Sequence, residues 1–402
     1  MYNHQIDKLT DYPFKRLDAL LSGVNPPKDT VPIMMSIGEP QHPAPNIISK
    51  ELNKDSNLWN RYPSARGTIE FRSSIKKWLL KRFNLDENLL SAEKNILPLA
   101  GSREGLYMSA QLTVSEKVIG KKPIVLIPNP FYQVYLGAAV LSNATVHMLN
   151  LNDSNNYQPE ISALDRETLE RTSTYFICNP SNPQGTVAPK DYLVNIINLA
   201  REYNFTIISD ECYSEIYTKT PPPSLLEAAF DIGEGLKNIM VFNSLSKRSS
   251  APGLRSGFVA GDELLIEKFF KLRSHASAVQ PLPLMAVATK LWEDEKHVIE
   301  NRNLYKEKIF DATRIIDNKI KFKAPEGGFF LWLNVKDGTK VAVDLWAKAG
   351  IKVLPGRFLC QQDEDGVSPG DEYIRVALVN SKAQTIDAIK NMTEILSISG
   401  NF

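Results

Sequence analysis

The sequence predicts an α/β protein in which a mostly parallel sheet is covered by helices on both faces and is joined by a smaller α+β unit. Short apolar strands alternate with helical stretches from Pro123 to Asp210, the pattern of a sheet with helical crossovers. From residue 328 onward, strands and helices follow in an α+β order instead. The chain of 402 residues is long enough to form both units.

Composition narrows the class of protein. Hydrophobic residues make up 43% and charged residues 23% of the chain, the balance of a soluble globular protein. A net charge of +1 argues against nucleic-acid binding as the main function. Cys178, Cys212 and Cys360 are too few and too scattered for a disulfide framework or a metal site. The sequence therefore predicts no metal. Because no secretory signal or membrane span is visible, we expect a cytoplasmic protein.

Residues 1 to 45 are predicted to form an arm that also contributes to the small unit. Helical spacing of apolar residues predicts a short helix from Phe14 to Leu21, which ends at Gly23. The apolar run that starts at Met34 predicts a short strand, and Gly38 ends it in a turn.

Residues 46 to 295 are assigned to the large unit and residues 296 to 402 to the small one. A core-facing helix, Ile69 to Phe83, opens the large unit. Its predicted strands are Ile96 to Leu99, Ile124 to Ile127, Thr145 to Leu149, Tyr175 to Cys178, Phe205 to Ser209, Ile239 to Phe242 and Ser256 to Ala260. The small unit has predicted strands at Gly328 to Leu333, Ile351 to Leu354 and Tyr373 to Leu378.

Ligands of such sheets bind at the carboxyl ends of strands, so polar residues there are candidates for a site. Asp210 follows one strand, where a buried acid is costly without a cationic partner such as a protonated ring nitrogen. A helix N-cap explains this acid equally well. Tyr213 lies three residues later, within reach to donate a hydrogen bond. Asn182 stands in a turn stiffened by prolines and Gly185.

The stretch from Ser244 to Gly257 contains Lys247 among small residues, with Arg255 eight positions later. A desolvated lysine near a second cation loses its proton more easily and can attack a carbonyl. The serines and Arg255 are suited to hold a phosphate. An ordinary loop with solvated charges is the alternative for this stretch alone.

Four further positions are candidates on weaker signals. Ser102 and Arg103 lie in a glycine-containing turn before a helix, where unpaired N–H groups favour phosphate. Tyr132, in an aromatic turn, could stack on a ring or simply pack. Arg375, within an apolar strand, requires a carboxylate ligand or a structural salt bridge.

The Lys247 segment resembles the pyridoxal-phosphate lysine motif of the class I and II aminotransferases, and other parts of that family's site recur in order from Tyr12 to Leu378. The resemblance implies the pyridoxal-phosphate-dependent transferase fold type I and a ping-pong amino transfer. The segments around Gly38, Ser102 and Lys247 are similar to the matching segments of the N-succinyldiaminopimelate aminotransferases of proteobacteria. Gln184 departs from the usual threonine of the family.

The resemblance also implies roles for individual residues. Lys247, Asp210 and Tyr213 would be catalytic. The residues expected to bind pyridoxal 5′-phosphate are Ser102, Arg103, Tyr132, Asn182, Asp210, Tyr213, Ser244, Lys247, Arg255 and, from the second subunit of a homodimer, Tyr62. Those expected to bind the substrate carboxylate are Gly38, Asn182 and Arg375.

In this subgroup glutamate is the amino donor, and its amino group passes to N-succinyl-2-amino-6-oxopimelate to give N-succinyl-LL-2,6-diaminopimelate. These succinylated compounds carry distant carboxylates. Arg66, Arg103 and Arg357 are candidates for binding them. Another aminotransferase, acting on aspartate or aromatic amino acids, would share all these residues. A carbon–sulfur lyase on this fold would keep Lys247 and Asp210, and a non-catalytic regulatory domain that binds the cofactor is the remaining alternative.

Overall fold

The computed structural model describes residues 1–54, 56–276, 278–317, 322–362 and 366–398. Its strands are β1 Ile33–Met34, β2 Ile96–Leu99, β3 Ile124–Asn129, β4 Thr145–Asn150, β5 Thr172–Cys178, β6 Thr206–Asp210, β7 Ile239–Ser244, β8 Gly257–Gly261, β9 Phe330–Asn334, β10 Ile351–Lys352, β11 Leu354–Pro355 and β12 Tyr373–Ala377. Its α-helices are α1 Pro13–Leu20, α2 Ile47–Leu52, α3 Ile69–Phe83, α4 Ser102–Thr113, α5 Gln133–Leu141, α6 Arg166–Arg171, α7 Lys190–Glu202, α8 Leu225–Ile232, α9 Leu245–Arg248, α10 Glu263–Ala276, α11 Leu282–Glu293, α12 Lys296–Asp317, α13 Gly338–Ala349 and α14 Lys382–Ile398.

The large sheet confirms the predicted fold class. Within the described residues it has seven strands in the order β2-β8-β7-β6-β5-β3-β4. The strands from β4 to β7 pair in parallel, and only β8 and β2 are antiparallel to their neighbours. Both faces are covered, because successive strand residues such as Ile207 and Ile208 enter different hydrophobic cores. The carboxyl ends of β3, β5, β6 and β7 therefore meet at one edge.

The smaller unit is built on a second, antiparallel sheet in the order β11-β12-β9. Helices α12, α13 and α14 share its core with Met35 from the N-terminal arm. Strand β1 of the arm pairs in parallel with β10. The boundaries at residues 45 and 295 stay a prediction.

Two local predictions differ from the structure. The predicted strand Ile351 to Leu354 is two strands, β10 and β11, because its first half pairs with β1 and its second half with β12. Ser102 and Arg103, predicted to lie in a turn before a helix, are instead the first two residues of α4, since Gly101 has a φ of +86° and turns the chain directly into the helix. No described helix is both long and apolar enough to cross a membrane.

Candidate active site

A cavity of about 550 Å³ lies at the carboxyl edge of the large sheet, between that sheet, the small unit and the N-terminal arm. A volume of this size suits a small organic ligand. Of the residues predicted to be catalytic, to bind the cofactor or to bind the substrate carboxylate, all but Tyr62 line this cavity. They are Gly38, Ser102, Arg103, Tyr132, Asn182, Asp210, Tyr213, Ser244, Lys247, Arg255 and Arg375.

Lys247 lies in the single turn of α9, directly after β7. Its Nζ donates a hydrogen bond to the carbonyl oxygen of Gly38 at 2.5 Å. Burial, with a smaller contribution from the charge of Arg375, lowers the pKa of Lys247 to about 8. An amine with this pKa is a competent nucleophile near neutral pH. Lys308 has an even lower pKa, about 7 by burial, but it lies outside the cavity.

Asp210, the last residue of β6, presents a buried carboxylate to the cavity. The hydroxyl of Tyr135 donates to its Oδ2 at 2.8 Å, and the Cys212 N–H donates to its Oδ1 at 3.3 Å. Burial raises the pKa of Asp210, although both hydrogen-bond donors and the Lys247 charge oppose the increase. A ligand with a protonated ring nitrogen would stabilise the ionised form of this carboxylate.

The turn before α4 forms a cradle for an anion. Gly101 packs so closely on Arg255 that a Cβ there would lie 2.2 Å from its Nη2 atom. Arg255 donates to the Pro252 carbonyl at 2.7 Å. The Ser102 hydroxyl accepts a hydrogen bond from the Cys212 thiol at 3.1 Å, beside Ser244. The start of a 12-residue helix, two serines and a guanidinium together fit a phosphate group.

Tyrosine side chains also line the cavity, among them those of Tyr12, Tyr132 and Tyr213. Tyr132 precedes α5, and its hydroxyl accepts a hydrogen bond from Arg103 Nε at 2.7 Å. Arg103 also donates to the Tyr12 hydroxyl of the arm at 3.3 Å. Burial raises the pKa of Tyr132 to about 12, and burial also raises that of Tyr213, so both hydroxyls keep their protons at neutral pH.

Arg375, at 4% exposure, supplies a buried cation on β12. It donates to Asn182 Oδ1 at 3.1 Å and to the Ser36 carbonyl at 2.7 Å, and it lies over the Phe330 ring. Its Nε has no hydrogen-bond partner in the described part of the chain. Burial lowers the pKa of Arg375 to about 10, which leaves it cationic at neutral pH. It therefore has unused capacity to bind a carboxylate.

Three predicted residues lie outside this cavity. Tyr62 is fully exposed on the surface of its own chain. Arg66 donates to the Glu93 carbonyl at 2.7 Å, and Arg357 pairs with Asp371 at 3.2 Å. Of the three candidate cations for distant carboxylates, only Arg103 lines the cavity of the described chain.

Three residues of the site escaped the sequence analysis. Tyr135 bonds Asp210, Tyr12 bonds Arg103, and Cys212 contacts Ser102. The only sequence signal for Tyr135 was its position in an aromatic-rich segment, three residues after Tyr132, which is also the pattern of a core-facing helix.

Comparisons with known proteins identify related sequences and folds. A family model described as aminotransferase class I and II matches residues 30–389. The curated relatives include an LL-diaminopimelate aminotransferase from Desulforudis audaxviator, 28% identical over 96% of both chains. A crystal structure of an aminotransferase from Neisseria meningitidis is 38% identical, with a TM-score of 0.91, over 98% of this chain and 100% of that one. The aminotransferase AspB from Helicobacter pylori is 33% identical, with a TM-score of 0.86, over 96% and 98%.

Proposed function

The chain belongs to the class I and II aminotransferases, and on that premise we propose that it transfers an amino group between glutamate and N-succinyl-2-amino-6-oxopimelate. The products are 2-oxoglutarate and N-succinyl-LL-2,6-diaminopimelate, an intermediate of lysine biosynthesis. Enzymes of this family use pyridoxal 5′-phosphate, which when bound stabilises negative charge at the Cα of an amino acid. The proposed compartment is the cytoplasm, where free thiols stay reduced.

The geometry of the cavity supports a division of roles among its residues. Lys247 would hold the cofactor, and its amine would move the Cα proton of the substrate. Asp210 keeps the ring nitrogen protonated, and Tyr213 donates to the phenolic oxygen together with Asn182. Tyr132 covers the ring.

The phosphate and the substrate carboxylate have separate binding groups in this proposal. The N–H groups at the start of α4, Ser102 and Arg103, bind the phosphate with Ser244 and Arg255. Arg375 binds the α-carboxylate, assisted by Asn182 and the Gly38 N–H.

The observation that carries the choice of substrate is the presence in the cavity of two guanidinium groups besides that of Arg255, which is assigned to the phosphate. Arg375 lies in its wall and Arg103 at its rim, where Tyr12 and Tyr132 hold it. Within the described residues Arg103 forms no ion pair with a carboxylate. A substrate with carboxylates at both ends satisfies both cations, and succinylation places such a group far from the reacting carbon.

A second candidate is amino transfer to form unsuccinylated LL-diaminopimelate. The names of the curated relatives favour it, at 26% to 29% identity. Glu39 also lines the cavity, and its carboxylate could bind the free distal ammonium of that compound. Aspartate, like the succinylated substrate, offers Arg103 a second carboxylate but offers Glu39 no distal ammonium, and an aromatic amino acid leaves both Arg103 and Glu39 without a charged partner.

An absorbance titration separates these candidates. Protein loaded with pyridoxal phosphate is titrated with glutamate and, separately, with N-succinyl-LL-diaminopimelate and LL-diaminopimelate. We expect loss of the visible cofactor band with glutamate and with the succinylated compound. Loss with glutamate and LL-diaminopimelate alone would replace the first candidate by the second. Release of ammonia and a keto acid from a thioether amino acid, without transfer, would identify a carbon–sulfur lyase.

Matched variants test the same choice at the level of residues. Arg103→Met is expected to raise KM for the succinylated substrate about tenfold, the effect of losing one charge-assisted interaction, with a smaller change for glutamate. Glu39→Gln serves as its control and is expected to leave both KM values within twofold. If Glu39→Gln weakens LL-diaminopimelate binding while Arg103→Met changes nothing, the second candidate is favoured.

We also infer a homodimer with shared active sites, because Tyr62 is exposed and lies outside the cavity of its own chain. Mixing the inactive variants Lys247→Ala and Tyr62→Ala tests this. If Tyr62 serves the partner's site, each hybrid dimer contains one intact site and activity returns. No recovery after subunit exchange would contradict the shared site.

A further inference from the structure

A second buried polar cluster lies behind the backbone of Lys247 and consists of His42, Asn301 and Lys308. None of the three lines the cavity. Lys308 is 1% and Asn301 7% exposed, and His42 is half-buried. No carboxylate contributes to the pKa of Lys308, which burial alone lowers to about 7. Since an ammonium is costly to bury without an anion, the cluster is not explained as a stabilising salt bridge.

The three side chains form a continuous chain of hydrogen bonds that ends on Lys247. Lys308 Nζ lies 2.9 Å from His42 Nε2, and His42 Nδ1 lies 2.8 Å from Asn301 Oδ1. Asn301 Nδ2 donates to the carbonyl oxygens of Lys247 at 3.0 Å and Arg248 at 3.2 Å. Because carbonyl oxygens only accept, Asn301 must face them with Nδ2 and face His42 with Oδ1. His42 Nδ1 then donates, and Nε2 of the neutral ring accepts from Lys308, so all the bonds run in one direction.

The cluster also reaches Lys247 by a second route. The backbone that leads to His42 passes through Gly38, whose carbonyl accepts the Lys247 Nζ hydrogen bond. The His42 ring packs on Tyr305 at 4.4 Å, and Tyr305 stacks on Phe329 at 5.0 Å. The Phe329 ring lies 5.4 Å from Lys247 Nζ.

Two other hydrogen bonds attach this cluster to neighbouring segments. Lys308 belongs to α12 and donates to the Asn380 carbonyl at 2.8 Å, between β12 and α14. The Ser250 hydroxyl donates to the His42 carbonyl at 3.0 Å. The chain of hydrogen bonds thus ties the Lys247 turn to the arm and to the small unit.

We propose that His42, Asn301 and Lys308 act as positioning residues for Lys247, holding its backbone so that its amine stays aimed at the reacting carbon. None of them lines the cavity in which the substrate and the cofactor would bind. The Lys247 side chain must swing between two tasks, binding the cofactor and moving a proton, and a fixed backbone keeps both positions reproducible. This inference deepens the proposed function and rests on the glutamate reaction for its rate measurement.

The test compares two variants that interrupt the hydrogen bonds between Lys308 and the Lys247 backbone. Asn301→Leu removes the bonds next to Lys247, and His42→Phe removes those in the middle but keeps a ring on Tyr305. Tyr305→Phe is the matched control, because its buried hydroxyl has no hydrogen-bond partner among the described residues. The measurements are kcat and KM for glutamate and the visible circular dichroism of the bound cofactor, which reports its orientation without any substrate.

Each of the two substitutions is expected to lower kcat about fivefold, the effect of one lost hydrogen bond. KM for glutamate should stay within twofold of the wild-type value, and the dichroic band of the cofactor should be weaker. The kcat of the double variant should be no lower than that of the more affected single variant, because either substitution interrupts the same series of hydrogen bonds. Tyr305→Phe should match the wild type.

Unchanged kcat and dichroism in fully loaded His42→Phe would overturn the proposal, and so would multiplicative effects in the double variant. If Asn301→Leu does not fold, His42→Phe and Lys308→Met provide the same comparison. A wild-type protein that does not react with glutamate would refute the proposed function instead, while the dichroic band would still test the positioning.

Discussion

Replacing Tyr135 by phenylalanine removes a single hydroxyl from behind the site. This side chain is 1% exposed, stacks on Phe176 at a centroid distance of 4.8 Å and donates to Asp210 Oδ2 at 2.8 Å. The phenylalanine ring keeps the stacking, so the change is confined to the hydrogen bond. Asp210 then has one buried oxygen without this donor.

The size of the effect follows from the charge on the acceptor. A hydrogen bond to a charged group contributes about 1.5–3 kcal/mol, and about 1.4 kcal/mol corresponds to one pKa unit. Loss of this donor therefore raises the pKa of Asp210 further, because the ionised carboxylate loses a stabilising hydrogen bond. A more weakly ionised Asp210 holds the proton of the ring nitrogen less firmly, and we expect kcat to fall about tenfold.

The assay is the pH dependence of the single-turnover reaction with glutamate, followed at the visible band of the cofactor. The acid limb of the profile should move to higher pH in Tyr135→Phe, because Asp210 takes up a proton more readily. Tyr175→Phe is the control, since its buried hydroxyl contacts Tyr192 at 3.1 Å and not Asp210. A wild-type rate and profile in Tyr135→Phe would refute this reasoning.

Three further predictions concern other residues of the chain. Arg375→Lys should raise KM for glutamate at least tenfold, because an ammonium cannot bind a carboxylate as a two-pronged donor; an unchanged KM would exclude Arg375 as the anchor. Gly101→Ala should weaken pyridoxal phosphate binding to the apoprotein more than tenfold in an absorbance titration, since its Cβ would meet Arg255 at 2.2 Å. The pKa of Lys308 is lowered from 10.5 to about 7, so the unfolded chain binds more protons between these values. The free energy of unfolding in urea, wild type minus Lys308→Met, should therefore rise between pH 7 and pH 10.5, by up to about 1.4 kcal/mol per pH unit. A difference that does not depend on pH would contradict the lowered pKa of Lys308.

The sequence predicts much of the large unit because its strands are short, apolar and bounded by clear turns. Strand β6 and Asp210 illustrate this, since an acid directly after a buried run is visible without coordinates. The same reasoning failed for the segment from Ile351 to Leu354, because its two halves pair with β1 and β12, partners remote in sequence.

Side chains that act through contacts remote in sequence were not predictable from local patterns. Tyr135 and Asp210 are 75 positions apart, and His42 and Lys308 are 266 apart. Each resembles an ordinary packing or surface residue in its own segment. The role of Tyr62 stays a prediction, because it depends on a second subunit.

The central claim is that Lys247 is the lysine that binds the cofactor. Borohydride reduction of the loaded protein, followed by digestion and mass spectrometry, locates the attachment directly. Lys308 provides an internal comparison, because burial lowers its pKa to about 7, below the value of about 8 for Lys247, although it lies outside the cavity. We expect the reduced cofactor only on the peptide that contains Lys247. Attachment at Lys308 or at any other lysine would contradict the account.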